Sequence, residues 1–172
     1  MSRDKDNFLA KFGHDQHLDK AVDTHSYNVL LAASKNPALA TRHISELMKC
    51  GHTEVRENAI RHPSATKEQL SKGLDDPNPK VREMAINNKN SDADHVSKAL
   101  KDTHERVRRE ATFSPHVNKE HIKTMMTDKD SGVRLTAAGH KLSTKEQVHK
   151  LTQDGDEYVA GIAKDRLDWD YK

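Results

Sequence analysis

Arginine and aspartate recur at intervals of 26 residues, and their charged side chains could bind an anion or form ion pairs with one another. Two columns result: Arg56, Arg82, Arg108 and Arg134, and Asp76, Asp102, Asp128 and Asp154. Guanidinium groups on packed helices would lie about 10 Å apart and could bind a row of phosphates. Alternatively, each aspartate accepts from helix amide groups and pairs with an arginine of its own or a neighbouring repeat. We favour this structural ladder, in which bidentate pairs set the register.

Histidine is abundant, with 12 copies. One column combines four histidines with two glutamines: His17, His43, His95, His121, Gln69 and Gln147. Neighbours one repeat apart are too far from each other to ligate one metal ion. The column falls at the third position of a predicted helix, where either side chain can bond back towards the capping residue. The pattern therefore favours local capping over metal binding or pH sensing.

The elements that must position these side chains are short helices in strict register. A valine column is followed four residues later by an alanine column, without insertion or deletion: Val29, Val55, Val81, Val107, Val133 and Val159, and Ala33, Ala59, Ala85, Ala111, Ala137 and Ala163. The i, i+4 spacing places both columns on one face of a helix of about ten residues, here named helix A. A constant alanine indicates close approach of a neighbouring helix. Asn78 and Pro79 suit the cap and the first position of one helix A.

A second helix, named helix B, follows each helix A. Its predicted N-caps share one repeat position: Thr66, Asp92, Asn118 and Thr144. Thr66 with Gln69, and Thr144 with Gln147, have the capping-box spacing. The buried side is predicted from i, i+4 pairs: Leu18/Val22, Ile44/Met48, Leu70/Leu74, Val96/Leu100, Ile122/Met126 and Val148/Thr152.

These helices predict an all-α fold, an α-solenoid (superhelix) of about six 26-residue helix–turn–helix repeats. We expect one repeat domain over 1–172, with an N-terminal cap and half repeat at 1–26, in which Phe8, Leu9 and Phe12 form the cap. Full repeats follow at 27–52, 53–78, 79–104, 105–130 and 131–156, and a last helix with a C-terminal cap at 157–172. Only 33% of the chain is apolar and 4% aromatic, which suits a thin core two helix layers deep.

Two segments resemble known repeat families. Residues 75–85, DDPNPKVREMA, resemble HEAT-type repeats, and residues 55–66, VRENAIRHPSAT, resemble the related leucine-rich repeat variant. The resemblance covers roughly residues 15–166 and implies a stack of helix pairs, a fold that serves many tasks.

The same resemblance limits cofactors and chemistry. The variant family's best-known architecture holds an iron–sulfur cluster on clustered cysteines, but Cys50 stands alone here, so we expect no cofactor. Some HEAT-like proteins are DNA glycosylases or bilin lyases. The glycosylases use aromatic residues and an acid in a basic groove, whereas the single tryptophan, Trp169, lies outside the repeats. Such an enzyme is the least favoured alternative.

Lysines on helix B are the residues best placed to meet a partner. Lys72, Lys98 and Lys150 follow a buried position by two residues, about 200° round the helix, and should face solvent. Four further lysines belong to adjacent rows: Lys67, Lys119, Lys123 and Lys145. Because inner helices of stacked repeats line an extended binding surface, we predict a non-catalytic protein–protein interaction scaffold or adaptor for a partner with an acidic surface. A nucleic-acid module that binds the phosphate backbone is the alternative.

Charge and cysteine content set the remaining expectations. The 29 basic residues nearly balance the 27 acidic ones, which argues against a chain built mainly to hold nucleic acid. One cysteine provides neither a disulfide framework nor a cysteine-based zinc site. The first six residues, MSRDKD, are not typical of a signal peptide, and no apolar run is long enough for a membrane span. We expect a cytoplasmic monomer or weak homo-oligomer, and we assign no catalytic, cofactor-binding or metal-binding residues.

Overall fold

The computed structural model describes residues 15–23 and 26–170, and in this part of the chain all regular structure is helical. Twelve helices occur there: α1 Asp15–Val22, α2 Tyr27–Ser34, α3 Thr41–Leu47, α4 Thr53–Arg61, α5 Lys67–Gly73, α6 Pro79–Ile86, α7 Ala93–Ala99, α8 Glu105–Thr112, α9 Lys119–Met125, α10 Ser131–Gly139, α11 Lys145–Leu151 and α12 Glu157–Asp170. Even-numbered helices are helix A and odd-numbered ones helix B. The predicted all-α helical repeat is confirmed. The predicted cap residues Phe8, Leu9 and Phe12 lie outside the described residues.

The chain divides into two compact units, Met1–Ser91 and Asp92–Lys172. Within each unit, a helix packs against its sequence neighbours and against the helix of the same type one repeat away. In the first unit α4 contacts α2, α3, α5 and α6, and in the second unit α10 contacts α8, α9, α11 and α12. The division falls between α6 and α7, inside the repeat predicted over 79–104. The single domain and its repeat boundaries remain predictions.

Side-chain caps mark the start of helix A in α6 and α12. The side chain of Asn78 accepts from the amide of Lys80, and Pro79 occupies the first turn. The carboxylate of Asp156 accepts from the amides of Tyr158 and Val159 at the start of α12. From α2 to α10, helix A has eight or nine residues, slightly fewer than predicted, whereas α12 has 14.

The alanine column forms the tightest part of the core. All six members, from Ala33 to Ala163, have no exposed surface. Five members of the valine column are equally buried, but Val29 is half-buried, and its neighbour Leu30 is buried instead. Close approach is visible at Gly73 of α5, where an added methyl group would lie 3.1 Å from the Cβ of Ala85. Small side chains thus allow helix A and helix B to meet.

The buried face of helix B differs partly from the prediction. The first member of every i, i+4 pair is buried, from Leu18 to Val148. The second member is only half-buried in Val22, Met48 and Met126. The position three residues on is buried in every repeat: Ala21, Leu47, Gly73, Ala99, Met125 and Leu151. The i+4 residue is the C-cap from α3 to α11, and its burial varies: Leu74, Leu100 and Thr152 are buried, whereas Met48 and Met126 are half-buried. C-cap position alone therefore does not decide burial.

Ala85→Leu is expected to lower the free energy of unfolding by about 1–3 kcal/mol, because no space remains beside Gly73 for three more carbon atoms. Urea denaturation followed by far-UV circular dichroism measures this change. Ala38→Leu is the matched control, since Ala38 is an exposed loop residue of the same unit. Equal stability of the Ala85 and Ala38 variants would show that the alanine column is not a helix contact.

Candidate partner-binding surface

Each ladder arginine joins neighbouring repeats. Nε and Nη2 of Arg56 donate to the two carboxylate oxygens of Asp76, at 2.7 and 3.0 Å. Its Nη1 donates to the backbone carbonyl of Cys50, just after the preceding helix B, at 2.9 Å. Arg108 and Arg134 make both kinds of contact in the second unit, to the aspartate 20 residues on and the carbonyl six residues back. The planar guanidinium supplies the fixed fork that two simultaneous partners require.

The ladder aspartates also organise the loop before the next helix A. Oδ1 of Asp76 accepts from the amide of Asn78 at 2.8 Å, and Oδ1 of Asp154 accepts from the amide of Asp156 at 2.9 Å. The hydrogen bond from Arg134 is the main cause that lowers the pKa of Asp154 below its usual value. Each carboxylate therefore fixes a turn and an arginine together.

The geometry leaves little of the ladder for an outside anion. Only 4% of the Arg108 side chain and 7% of the Asp128 side chain are exposed. Arg82 and Asp102 belong to different units, and inside its own unit Arg82 donates to the carbonyl of Asp76 at 2.8 Å. Because these donors already have protein acceptors, the arginines are better suited to holding repeats than to binding phosphates.

The histidine and glutamine column forms a second set of bonds between repeats. Each member described with its side chain from His43 to Gln147 takes part in a capping box or accepts from its own N-cap amide, as predicted. Gln69 accepts from Thr66 at 2.9 Å, and its amide group donates at 2.7 Å to the carbonyl of Thr41 and to Oγ of Ser45 in the preceding helix B. The side chain of His17 lies outside the described residues.

His121 makes the same contacts with a ring. Its Nδ1 accepts from the amide of Asn118 at 3.1 Å, so the proton resides on Nε2, which lies 2.8 Å from Oγ of Ser97. The Ser97 hydroxyl donates to the carbonyl of Ala93, which leaves its oxygen as the acceptor. Protonation would destroy the bond at Nδ1. Burial is the main cause that lowers the pKa of His121.

A third column was missed in the sequence. Its members follow each helix A and accept, through the side chain, from the amide two residues on: Asn36, His62, Asn88, Ser114 and His140. Nδ2 of Asn88 also donates to the carbonyls of Ile60 and His62, at 2.8 and 3.0 Å. The 26-residue alignment contains this signal, because every member carries a side-chain acceptor. Burial lowers the pKa values of His62 and His140.

The predicted contact lysines all lie at the surface of helix B. Each is exposed: Lys67 and Lys72 in the first unit, and Lys98, Lys119, Lys123, Lys145 and Lys150 in the second. Lys123 pairs with Glu120 of the same helix at 2.7 Å, and Lys150 pairs with Glu146 at 3.0 Å. Exposed pairs of this kind contribute little to stability. The surface carries charges of both signs. Helices α5, α9 and α11 each contain two lysines and one glutamate, so each has a net charge of +1 if histidine is neutral.

The described residues contain no group of three or more histidine, cysteine, aspartate or glutamate side chains placed to hold a metal ion. No helix in the part of the chain that the structure describes is long and apolar enough to cross a bilayer.

The fold and these contacts define an α-helical repeat protein. A solved structure described as "a leucine-rich repeat variant with a novel repetitive protein structural motif" is similar to this chain, with a TM-score of 0.53 and 17% sequence identity. The match covers 95% of this chain and 82% of that one. At this identity the likeness supports the repeat fold alone, and the HEAT-like resemblance stays a prediction. No protein-family model and no curated protein matches the chain.

The three lowered histidine pKa values predict a loss of stability in mild acid. The unfolded chain takes up protons near pH ~6.5, whereas these folded histidines need a lower pH. The free energy of unfolding is therefore highest above about pH 6.5 and falls as the pH drops through the folded pKa values. Urea denaturation across this range checks the direction.

His121→Gln should remove part of this pH dependence. Glutamine makes the same cap in Gln69 and Gln147, so stability at pH 8 should change by less than about 1 kcal/mol. His116→Gln is the matched control, because it makes the same substitution at an exposed position of the same unit. An unchanged profile in the His121 variant would contradict the assigned proton position.

Proposed function

We propose that this protein is a non-catalytic scaffold or adaptor that binds another protein through the exposed lysines of helix B. One observation carries the proposal: the seven lysines are all exposed, while arginine, aspartate, histidine and glutamine of the same repeats bond to the fold itself. The side chains that hold the repeats together are thus different from the lysines exposed on helix B. Such a division suits a repeat scaffold, whose surface can change without loss of the stacked core.

The charge pattern favours a protein partner over nucleic acid. Binding to phosphates calls for a surface of one sign, because affinity grows with the number of phosphates neutralised. Glu120 and Glu146 lie within ion-pair distance of Lys123 and Lys150, which lowers the local positive potential. An acidic protein surface that also carries some basic residues would complement this mixture.

A non-catalytic role is part of the proposal. Several side chains that could act as acids, bases or oxyanion donors are engaged in ladder and cap bonds, as in the Arg108–Asp128 pair and the His121–Asn118 cap. Those bonds direct each of these groups towards the fold. We also propose a cytoplasmic setting, which a tagged chain expressed in cells would test by microscopy.

The triple variant Lys72→Glu, Lys98→Glu and Lys150→Glu tests the contact surface. Reversing three charges should abolish capture of an acidic partner from native lysate, because attraction becomes repulsion, while helicity stays unchanged. Capture followed by mass spectrometry, with circular dichroism in parallel, measures both. The matched control reverses three exposed loop lysines, Lys89, Lys101 and Lys141. Partners captured equally by both triple variants would rule out the helix B lysines.

Labelled DNA and RNA distinguish the nucleic-acid alternative. We expect no mobility shift at low salt, since the lysine surface also carries glutamates. A shift that weakens steeply with salt and disappears in the triple variant would replace the scaffold proposal with phosphate binding.

A further inference from the structure

All aromatic side chains in the part of the chain that the structure describes are exposed. The exposed fraction is 38% for Tyr27, 72% for Phe113, 73% for Tyr158 and 85% for Trp169. Large aromatic groups normally contribute most when they are buried in a core or an interface. Tyr27 has local partners, because its hydroxyl donates to Glu54 at 2.7 Å. The other three lie in the second unit, two of them on α12.

One face of α12 presents three large apolar groups. Tyr158, Ile162 and Trp169 are separated by four and seven residues, which places them within about 40° of one another round the helix. Ile162 is 42% exposed. An adjacent side of the helix is anchored, because Val159 and Ala163 are fully buried. We name Tyr158, Ile162 and Trp169 the α12 stripe.

The same columns are used differently in the first unit. Four repeats before Tyr158 is Glu54, which accepts from Tyr27 and from Lys35. Four repeats before Ile162 is Asn58, which donates to Ser34 of α2 at 3.1 Å. At those positions, polar side chains bond helix A to helix A. On α12 the equivalent positions carry apolar groups with large exposed areas, a pattern that marks interaction sites.

Acidic residues border the stripe. Asp165 lies on the same side of the helix, about 20° from Tyr158 by helical geometry. Glu157 and Asp168 are also exposed, and the exposed base Lys164 lies on the other side of the helix. Arg166 on the other flank is half-buried and donates to the backbone carbonyls of Ala138 and His140. The whole chain has a net charge of +2, so this negative charge is local.

We propose that the α12 stripe binds a basic amphipathic helical segment of another protein. The apolar side of that segment would cover Tyr158, Ile162 and Trp169, and its lysines or arginines would pair with Asp165 and its acidic neighbours. A second copy of this chain is a poorer occupant, because like charges would meet across the stripe. This surface is distinct from the helix B lysines, so failure of either proposal leaves the other standing.

Trp169 is the only tryptophan and reports directly on its own burial. The probe is a synthetic helical peptide of leucine and lysine, added to the full chain while tryptophan emission is recorded. A saturable shift of the emission to shorter wavelength, weakened by salt, is expected. A peptide with glutamate in place of lysine, and the same leucine pattern, should give no shift.

Variants locate the contact. Tyr158→Ala or Ile162→Ala should weaken peptide binding by about tenfold or more, as truncation of a central interface residue does. Asp165→Asn with Asp168→Asn should weaken it and flatten its salt dependence. Two controls should bind like the natural chain: Lys164→Ala, and Glu120→Gln with Glu146→Gln, which removes two acids from helix B. Circular dichroism should show equal helicity in all variants.

Four outcomes would overturn the proposal. Equal shifts with both peptides would mean apolar adhesion without charge selection. A shift that grows with protein concentration in the absence of peptide would assign the stripe to a second copy of the chain. A response to phosphatidylcholine vesicles but not to the lysine peptide would assign it to a lipid surface. No shift with any probe would remove the stripe as a docking site.

Discussion

The fold depends on one arginine that satisfies two repeats at once. The guanidinium groups of Arg56, Arg108 and Arg134 each donate to the aspartate carboxylate 20 residues later in the chain and to the backbone carbonyl six residues earlier. The first contact closes a helix A and helix B pair, and the second ties that pair to the end of the previous one. A shift of register by one residue would break both contacts and leave buried charges without partners, which is costly. The ladder therefore specifies how repeats stack, and small apolar columns fill the space between them.

The histidine and glutamine column adds a second connection on the helix B side. Gln69 accepts from its own cap and donates to the preceding helix B, and His121 does so through opposite nitrogens of one ring. These bonds explain how a chain that is only 33% apolar forms a regular array. The residues of these strict columns bond within the fold, and the proposed contact surfaces use exposed residues outside them: lysines on helix B and apolar groups on α12.

Much of the fold could be predicted because its signals are local and periodic. The Asn78 cap, the capping box of Thr66 and the buried alanine column each depend on a few residues at fixed spacing. The prediction of the buried face of helix B was partly wrong, since an i, i+4 rule overlooks the i+3 position on the same face, where Leu47 is buried while Met48 is only half-buried. The α12 stripe has no periodic signal. Position by position, Tyr158 aligns with Glu54, so its exposure depends on which neighbours lie beside it in space.

The most direct measurement is a double-mutant cycle on Arg108 and Asp128, whose side chains are both buried. Unfolding free energies would be compared for the natural chain, Arg108→Met, Asp128→Asn and the double variant. The ladder account predicts that each single change costs about 3–5 kcal/mol, because it leaves the other partner buried and unpaired. The double variant should then be more stable than the sum implies by about 1–3 kcal/mol. Additive losses would contradict the claim that this pair holds helix A against helix B of its repeat.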